Sequence, residues 1–222
     1  MSAVAPLHRH QLVRLTAAGW QGIVDGAWDA DARACLGLWA ARGLPLVVTR
    51  QPAPPCATVS LGLPAPSPWR GRRLALGVAP DALAACDEFP SLDDTRLDPH
   101  AAAAAWARLR DALRPLPVTP RVYGSHGWQA LTGLPHAHDR SDIDLWVAVD
   151  DAPQADAVAA ALDDAGRLPG PRLDGELVFP GDRAVAWREW LAWRAGRTRA
   201  ILCRTLTGAA RVDTPAAEGL PC

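Results

Sequence analysis

Residues 121–149, RVYGSHGWQALTGLPHAHDRSDIDLWVAV, decide the fold. Val122 and Tyr123 favour a strand that Gly124 stops, and apolar spacing through Trp128, Ala130 and Leu131 predicts a short helix ending near Gly133. Beyond Ser141 the pattern has period two. Ile143, Leu145, Val147 and Val149 fall on one face of a strand, and Asp142, Asp144, Trp146 and Ala148 on the other. The two carboxylates therefore point the same way, roughly 6.5 Å apart along the strand, which suits divalent ions spaced about 3.5–4 Å. Hard oxygen ligands favour magnesium, which commonly completes its octahedron with substrate phosphates and water. Gly124 and Ser125 supply the complement. Glycine lets a ligand approach the backbone, and the N–H groups opening the next helix attract anions, so a polyphosphate resting there would face Asp142 and Asp144. An Asp-x-Asp pair by itself also fits a solvated strand edge. Here it opens a strongly apolar strand, where two charges gain little from sheet propensity, and the combination predicts a metal-dependent phosphoryl-transfer site. Ser141 reads as a cap or turn residue, with substrate contact as the alternative.

Outward from this stretch, the order from 118 onward is strand, helix, strand, helix (154–165), strand, helix, strand (200–206). That order predicts an α/β or α+β domain, a mixed sheet covered by helices. Within it, LDGELVF at 173–179 reads as a turn closed by Gly175, after which Glu176 opens the apolar run Leu177-Val178-Phe179. Trp187, Trp190 and Trp193 fit one helical face and read as core. Upstream, residues 4–78 read as short strands and one helix: Leu12-Val13 and Leu46-Val47-Val48 extended, 30–41 helical. Pro52, Pro54, Pro55, Pro64, Pro66 and Pro68 break the middle into loops and edge strands. A turn-like 88–98 and a helical 99–113 follow. The expected division is a smaller N-terminal α+β domain at 1–80, a helical linker at 81–117, a catalytic domain at 118–212 and a frayed tail at 213–222.

Composition narrows the chemistry. With 222 residues, 49% of them hydrophobic, the chain can bury a substantial core, and its net charge of −1 argues against broad electrostatic binding to nucleic acid. All 23 basic residues are arginine, which excludes Schiff-base chemistry and a P-loop lysine. Phosphate must then be met by arginine, backbone or metal. The densest candidates are Arg70, Arg72 and Arg73, which also fit a solvated turn before a strand, and Arg188 in an amphipathic segment. Cys35, Cys56, Cys86, Cys203 and Cys222 are scattered and odd in number, and His8, His10, His136 and His138 lack zinc spacing, so neither zinc nor a disulfide framework is expected. No signal-like opening and no apolar run of about 20 residues occurs, so a cytoplasmic protein without membrane association is expected.

A specific resemblance joins these readings. Gly124-Ser125, Trp128-Gln129, Leu131-Thr132-Gly133-Leu134, Ser141-Asp142-Ile143-Asp144-Leu145-Trp146, Asp174-Gly175-Glu176 and Trp187-Arg188-Glu189-Trp190 resemble the phosphoribosyl-dephospho-CoA transferase of malonate decarboxylase, a branch of the nucleotidyltransferases also called malonate decarboxylase holo-[acyl-carrier-protein] synthase. It extends through Arg9-His10-Gln11-Leu12-Val13, Pro45-Leu46-Val47-Val48 and Leu61-Gly62-Leu63-Pro64, so nearly the whole chain is covered. The resemblance implies a nucleotidyltransferase-type sheet and a reaction. The phosphoribosyl-dephospho-CoA part of 2'-(5''-triphosphoribosyl)-3'-dephospho-CoA would pass to a serine of the apo acyl carrier subunit, with release of pyrophosphate. It implies Asp142 and Asp144 as magnesium ligands and Gly124 and Ser125 at the triphosphate. By position rather than by resemblance, Trp128, three residues after Ser125, is a substrate-contact candidate, with stapling of the short helix to the sheet as the alternative. Ser141 and Arg188 are further substrate-contact candidates, the latter with pairing to a carboxylate on the helix surface as the alternative. It also implies a third carboxylate on a neighbouring strand, for which Glu176 is the choice and Asp174 the alternative. The Arg70, Arg72 and Arg73 cluster would hold the CoA portion or an acidic carrier. Two positions depart from the pattern: His136 stands where a tyrosine is expected, and Arg204, expected to face solvent, stands where a lysine is. The competing readings are a nucleotidyltransferase acting on a small hydroxylated molecule and a non-catalytic nucleotide-binding module.

Overall fold

Thr16 and Asp29 start the first two helices. After strand β1 (Leu12–Leu15), Thr16 Oγ1 accepts the N–H of Gly19 at 3.0 Å and opens α1 (Ala17–Val24). Sequence reasoning missed this helix, because Gly19 and Gly22 depress its propensity; the cap and the burial of Trp20 and Ile23 hold it. Asp29 Oδ1 accepts the N–H of Ala32 at 2.8 Å and opens α2 (Ala30–Arg42). This computed structural model describes residues 7–53, 57–95 and 103–213. The expectations for Val4, for Pro54, Pro55 and Cys56, for the start of the 99–113 helix and for the tail with Cys222 fall outside those residues. Among the described residues are two sheets and six α-helices, as an α+β fold requires.

The chain divides into two compact units. The first runs to Phe89 and takes in Leu134–His136 and Leu206–Gly208. Its sheet has the order β4-β3-β2-β1-β5, all antiparallel, with β2 (Leu46–Val48), β3 (Val59–Pro64), β4 (Arg73–Val78) and β5 (Leu83–Asp87). Trp39, Leu36, Leu46, Leu61 and Leu63 are buried there. Two expectations are corrected. The proline-flanked β3 is an interior strand, with Pro64 paired to Arg73 beyond the last pair with β2. The stretch set aside as the start of a linker is β5, whose pairing with β1 carries the first unit to Phe89. His136 meets the Trp39 ring edge-on at 6.2 Å, and burial lowers its pKa to about 4, so it is neutral at pH 7.

Arg72, from the basic cluster, forks Asp29 with bonds of 2.9 and 2.8 Å. First this hydrogen bond and then the Ala32 N–H hold the Asp29 carboxyl down to about 2, from an ordinary 3.8. A depressed carboxylate stabilises the fold above its unfolded pKa, and that contribution is lost as pH falls through the folded one. Asp29→Asn, which keeps a cap acceptor, is therefore expected to unfold at lower temperature than the wild type at pH 7, and the two melting curves should converge as pH approaches 2.

The second unit holds α3 (Ala103–Leu113), β6 (Arg121–Tyr123), α4 (Gly124–Thr132), β7 (Ile143–Ala148), α5 (Ala152–Gly166), β8 (Leu173–Phe179), β9 (Arg183–Ala186), α6 (Trp187–Arg194), β10 (Ile201–Arg204) and β11 (Ala209–Val212). The sheet order is β11-β10-β9-β8-β7-β6, parallel only between β7 and β8. Ile143, Leu145, Val147, Leu173 and Leu177 pack in one core with Trp106 and Leu109 of α3, Val158 and Leu162 of α5, and Trp187, Trp190 and Trp193 of α6. Truncating a buried leucine of this kind to alanine costs about 2–5 kcal/mol. A one-residue slip of β7 would expose its whole apolar set, so burial of that face fixes the opposite face as the one bearing the acids.

Among the described residues, Cys35, Cys86 and Cys203 are not in disulfides. Among the described residues, no helix is long and apolar enough to cross a membrane.

Candidate phosphoryl-transfer site

Gly124 is the hinge of the site. It ends β6, which pairs with β7 in the register Tyr123↔Asp144, and its φ of +61° is a left-handed turn that leads straight into α4. A Cβ at Gly124 would overlap Oδ2 of Asp144 and lie 2.8 Å from its Cγ. The backbone at 124 thus rests directly on the Asp144 carboxylate, a closeness only glycine permits. Tyr123, at the N-cap of α4, makes no side-chain cap hydrogen bond, and the helix opens beside Asp144 with Ser125 half-buried in its first turn.

The acids gather on one face of β7 and β8. Parallel pairing sets Asp144 opposite Asp174 and Trp146 opposite Glu176, and alternation puts Asp142 on that same face. Here the structure corrects the picture of LDGELVF as a turn followed by a strand. Gly175 lies inside β8 at φ +141°, and a Cβ there would overlap the Leu145 carbonyl oxygen and stand 2.8 Å from Leu145 N. Glycine is needed at this position for close approach of two strands. Asp174 and Glu176 are consequently strand neighbours with different surroundings. Asp174, 35% exposed, accepts the Gly175 N–H at 3.0 Å on Oδ1, and the Arg172 guanidinium lies 3.2 Å from Oδ2. Glu176 is 10% exposed and lies 3.9 Å from Arg204.

Arg204 was expected to face solvent. It is instead 28% exposed and lies 3.9 Å from both Glu176 and Glu189, because β10 brings it over the acidic face through its pairing with Ala184. Arg188 donates to the Leu173 carbonyl at 3.0 Å, with its guanidinium 4.1 Å above the Trp187 ring, so α6 delivers it to the start of β8.

Trp128 and Ser141 are buried scaffold in this form. Trp128 is 4% exposed, and its carbonyl accepts the Thr132 hydroxyl at 2.7 Å. Ser141 is 8% exposed, and its hydroxyl accepts the His138 N–H at 3.0 Å. His126, which sequence reasoning passed over, bonds the Ser141 backbone and packs edge-on against Trp106 at 5.6 Å. Burial lowers its pKa, leaving a neutral ring that ties α4 to the segment bearing the acids. Arg172 was also missed, although its spacing of two from Asp174 just before an apolar run puts both on one face.

Among the described residues, no three His, Cys, Asp or Glu side chains gather closely enough to hold a metal by themselves. Magnesium needs only one or two carboxylates when phosphate oxygens and water complete its shell. Asp142 and Asp144 provide hard oxygen donors, and the Gly124 cradle brings backbone rather than side chain against one of them, so the donor set fits such an ion. A cavity of about 620 Å³ elsewhere in this unit is lined by Trp193, Gly196, Thr198, Arg199, Arg211 and Asp213, none of them an expected site residue.

Two family models match consecutive parts of the chain. The phosphoribosyl-dephospho-CoA transferase MdcG N-terminal domain matches residues 8–89, and the MdcG C-terminal domain matches residues 87–215. Their junction falls where the two units divide. A phosphoribosyl-dephospho-CoA transferase of Xanthomonas axonopodis pv. citri is 38% identical over 215 residues, covering 91% of this chain and 95% of that one. The protein of that name from Bradyrhizobium diazoefficiens is 36% identical over 191 residues, covering 83% and 82%. No solved structure gives a significant match.

Proposed function

The chain belongs to the phosphoribosyl-dephospho-CoA transferase family, and from that premise we propose that it loads the apo acyl carrier subunit of malonate decarboxylase in the cytoplasm. The donor is 2'-(5''-triphosphoribosyl)-3'-dephospho-CoA. A carrier serine oxygen attacks the phosphorus attached to the ribose, a phosphodiester forms, the bond to the outer two phosphates breaks, and pyrophosphate leaves. The serine proton passes to a carboxylate or to water. Such in-line displacement asks the protein chiefly to position reactants and neutralise charge.

The observation that carries this reading is the Gly124 backbone lying on the Asp144 carboxylate. The first N–H groups of α4 hold the triphosphate, and Asp142 and Asp144 hold magnesium. Bound there, the ion would neutralise the charge that develops on the leaving pyrophosphate. Arg188, at the mouth of β8, contacts donor phosphate. For the third carboxylate, register and exposure favour Asp174 over Glu176, since a group that draws a proton must reach the substrate. Asp174→Asn is expected to slow turnover by about 10²-fold or more and Glu176→Gln by less, the order being read from initial rates of pyrophosphate release; the reverse order would return the role to Glu176.

Incubation with apo carrier, donor and magnesium is expected to release pyrophosphate and add the mass of the prosthetic group to one carrier serine. An unchanged carrier mass in intact-protein mass spectrometry would reject the reading.

A further inference from the structure

We propose that Arg172 is the internal counter-cation of the acidic face: it neutralises Asp142 and Asp174 while the site is empty and transfers to phosphate when the donor arrives. The proposal rests on the assignment of Asp142 and Asp144 as metal ligands. Its guanidinium lies 3.2 Å from Asp174 Oδ2 and 3.9 Å from Asp142 Oδ2, spanning the two acids that flank Asp144.

Three features make it a movable cation. The Arg172 backbone is pinned, because its carbonyl accepts the Ile143 N–H at 2.8 Å and so holds its Cα at the mouth of β7 and β8. Its side chain is 60% exposed, and ion pairs in that setting are weak enough for a divalent ion to displace. The neighbouring arginines are committed: Arg188 to the Leu173 carbonyl and the Trp187 ring, Arg204 to a place beside Glu176 and Glu189. A guanidinium suits both duties, since its planar fork matches carboxylate and phosphate alike.

Two opposed effects follow. Without phosphate, Arg172 competes with the metal for Asp142, the one carboxylate they share, and weakens metal binding. With phosphate, it contributes a contact and the competition is relieved. Metal and phosphate binding are thereby coupled, and the coupling is reciprocal by linkage.

The test uses the full chain and reads binding rather than turnover. Manganese affinity is measured by electron paramagnetic resonance without phosphate, and affinity for inorganic tripolyphosphate is measured by calorimetry in EDTA. Arg172→Ala is expected to bind manganese about 2- to 5-fold more tightly than the wild type, as loss of its exposed ion pair with Asp142 implies, and to bind tripolyphosphate more weakly. Arg172→Lys, which keeps the charge, should restore manganese affinity toward the wild-type value. Manganese affinity unchanged or weakened in Arg172→Ala would overturn the proposal while leaving the metal assignment intact. A wild type that binds no manganese would overturn both.

Discussion

Asp144→Asn is expected to reduce turnover about 10³-fold with the fold retained, the upper end of what loss of one preorganised electrostatic group costs. Asparagine has nearly the volume of aspartate, so it fills the cradle under Gly124 and keeps the register with Tyr123 and Asp174. What it removes is the negative charge that a magnesium ion bound there would require. Initial rates of pyrophosphate release with saturating carrier and donor measure the first quantity, and the thermal midpoint measures the second. Asp142→Asn should follow the same pattern less steeply, because Asp142 lies 42% exposed at the strand entrance whereas Asp144 is flanked by β6 and β8. Turnover of Asp144→Asn within about fivefold of wild type would remove Asp144 from the proposed metal site.

Legibility in the sequence followed the range of the interaction. β7 could be read because its cause is local: Ile143, Leu145 and Val147 in period two are buried on one face, and Val149 just beyond the strand continues the pattern, all at most 3% exposed. α2 and α4 could be read from helical spacing, and Gly133 closes α4 in the left-handed conformation expected of a terminal glycine. β9 and β11, RAVA and AARV, are four residues each with weak strand propensity, and only their place in the sheet order makes them strands. β8 was misread at Gly175, where the cause is the Leu145 backbone of another strand rather than a turn. The same distance in sequence hid Arg172: its partners Asp142 and Asp174 come together only through the parallel pairing of β7 with β8. In the candidate site, then, the approach of the Gly124 turn to the Asp pair was legible, whereas the neighbours of Glu176 and Arg204 and the Asp142 partner of Arg172 were not.

Gly124→Ala tests the cradle itself. It is expected to lower turnover about 10²-fold and stability by about 1–2 kcal/mol, the usual cost of placing a side chain in the left-handed region. Two costs are joined in that variant, the strain of alanine at φ +61° and the overlap of its Cβ with Oδ2 of Asp144, which obliges the carboxylate to swing off the turn. Gly133→Ala separates them. Gly133 has φ +67°, at the other end of the same helix, yet a Cβ there meets nothing within 4 Å. It should therefore show a similar loss of stability in denaturant titration with turnover close to wild type. The difference between the two variants isolates the displacement of Asp144 from the backbone strain. Equal losses of turnover in both would mean that helix α4, and not the seat of the carboxylate against the turn, limits the reaction.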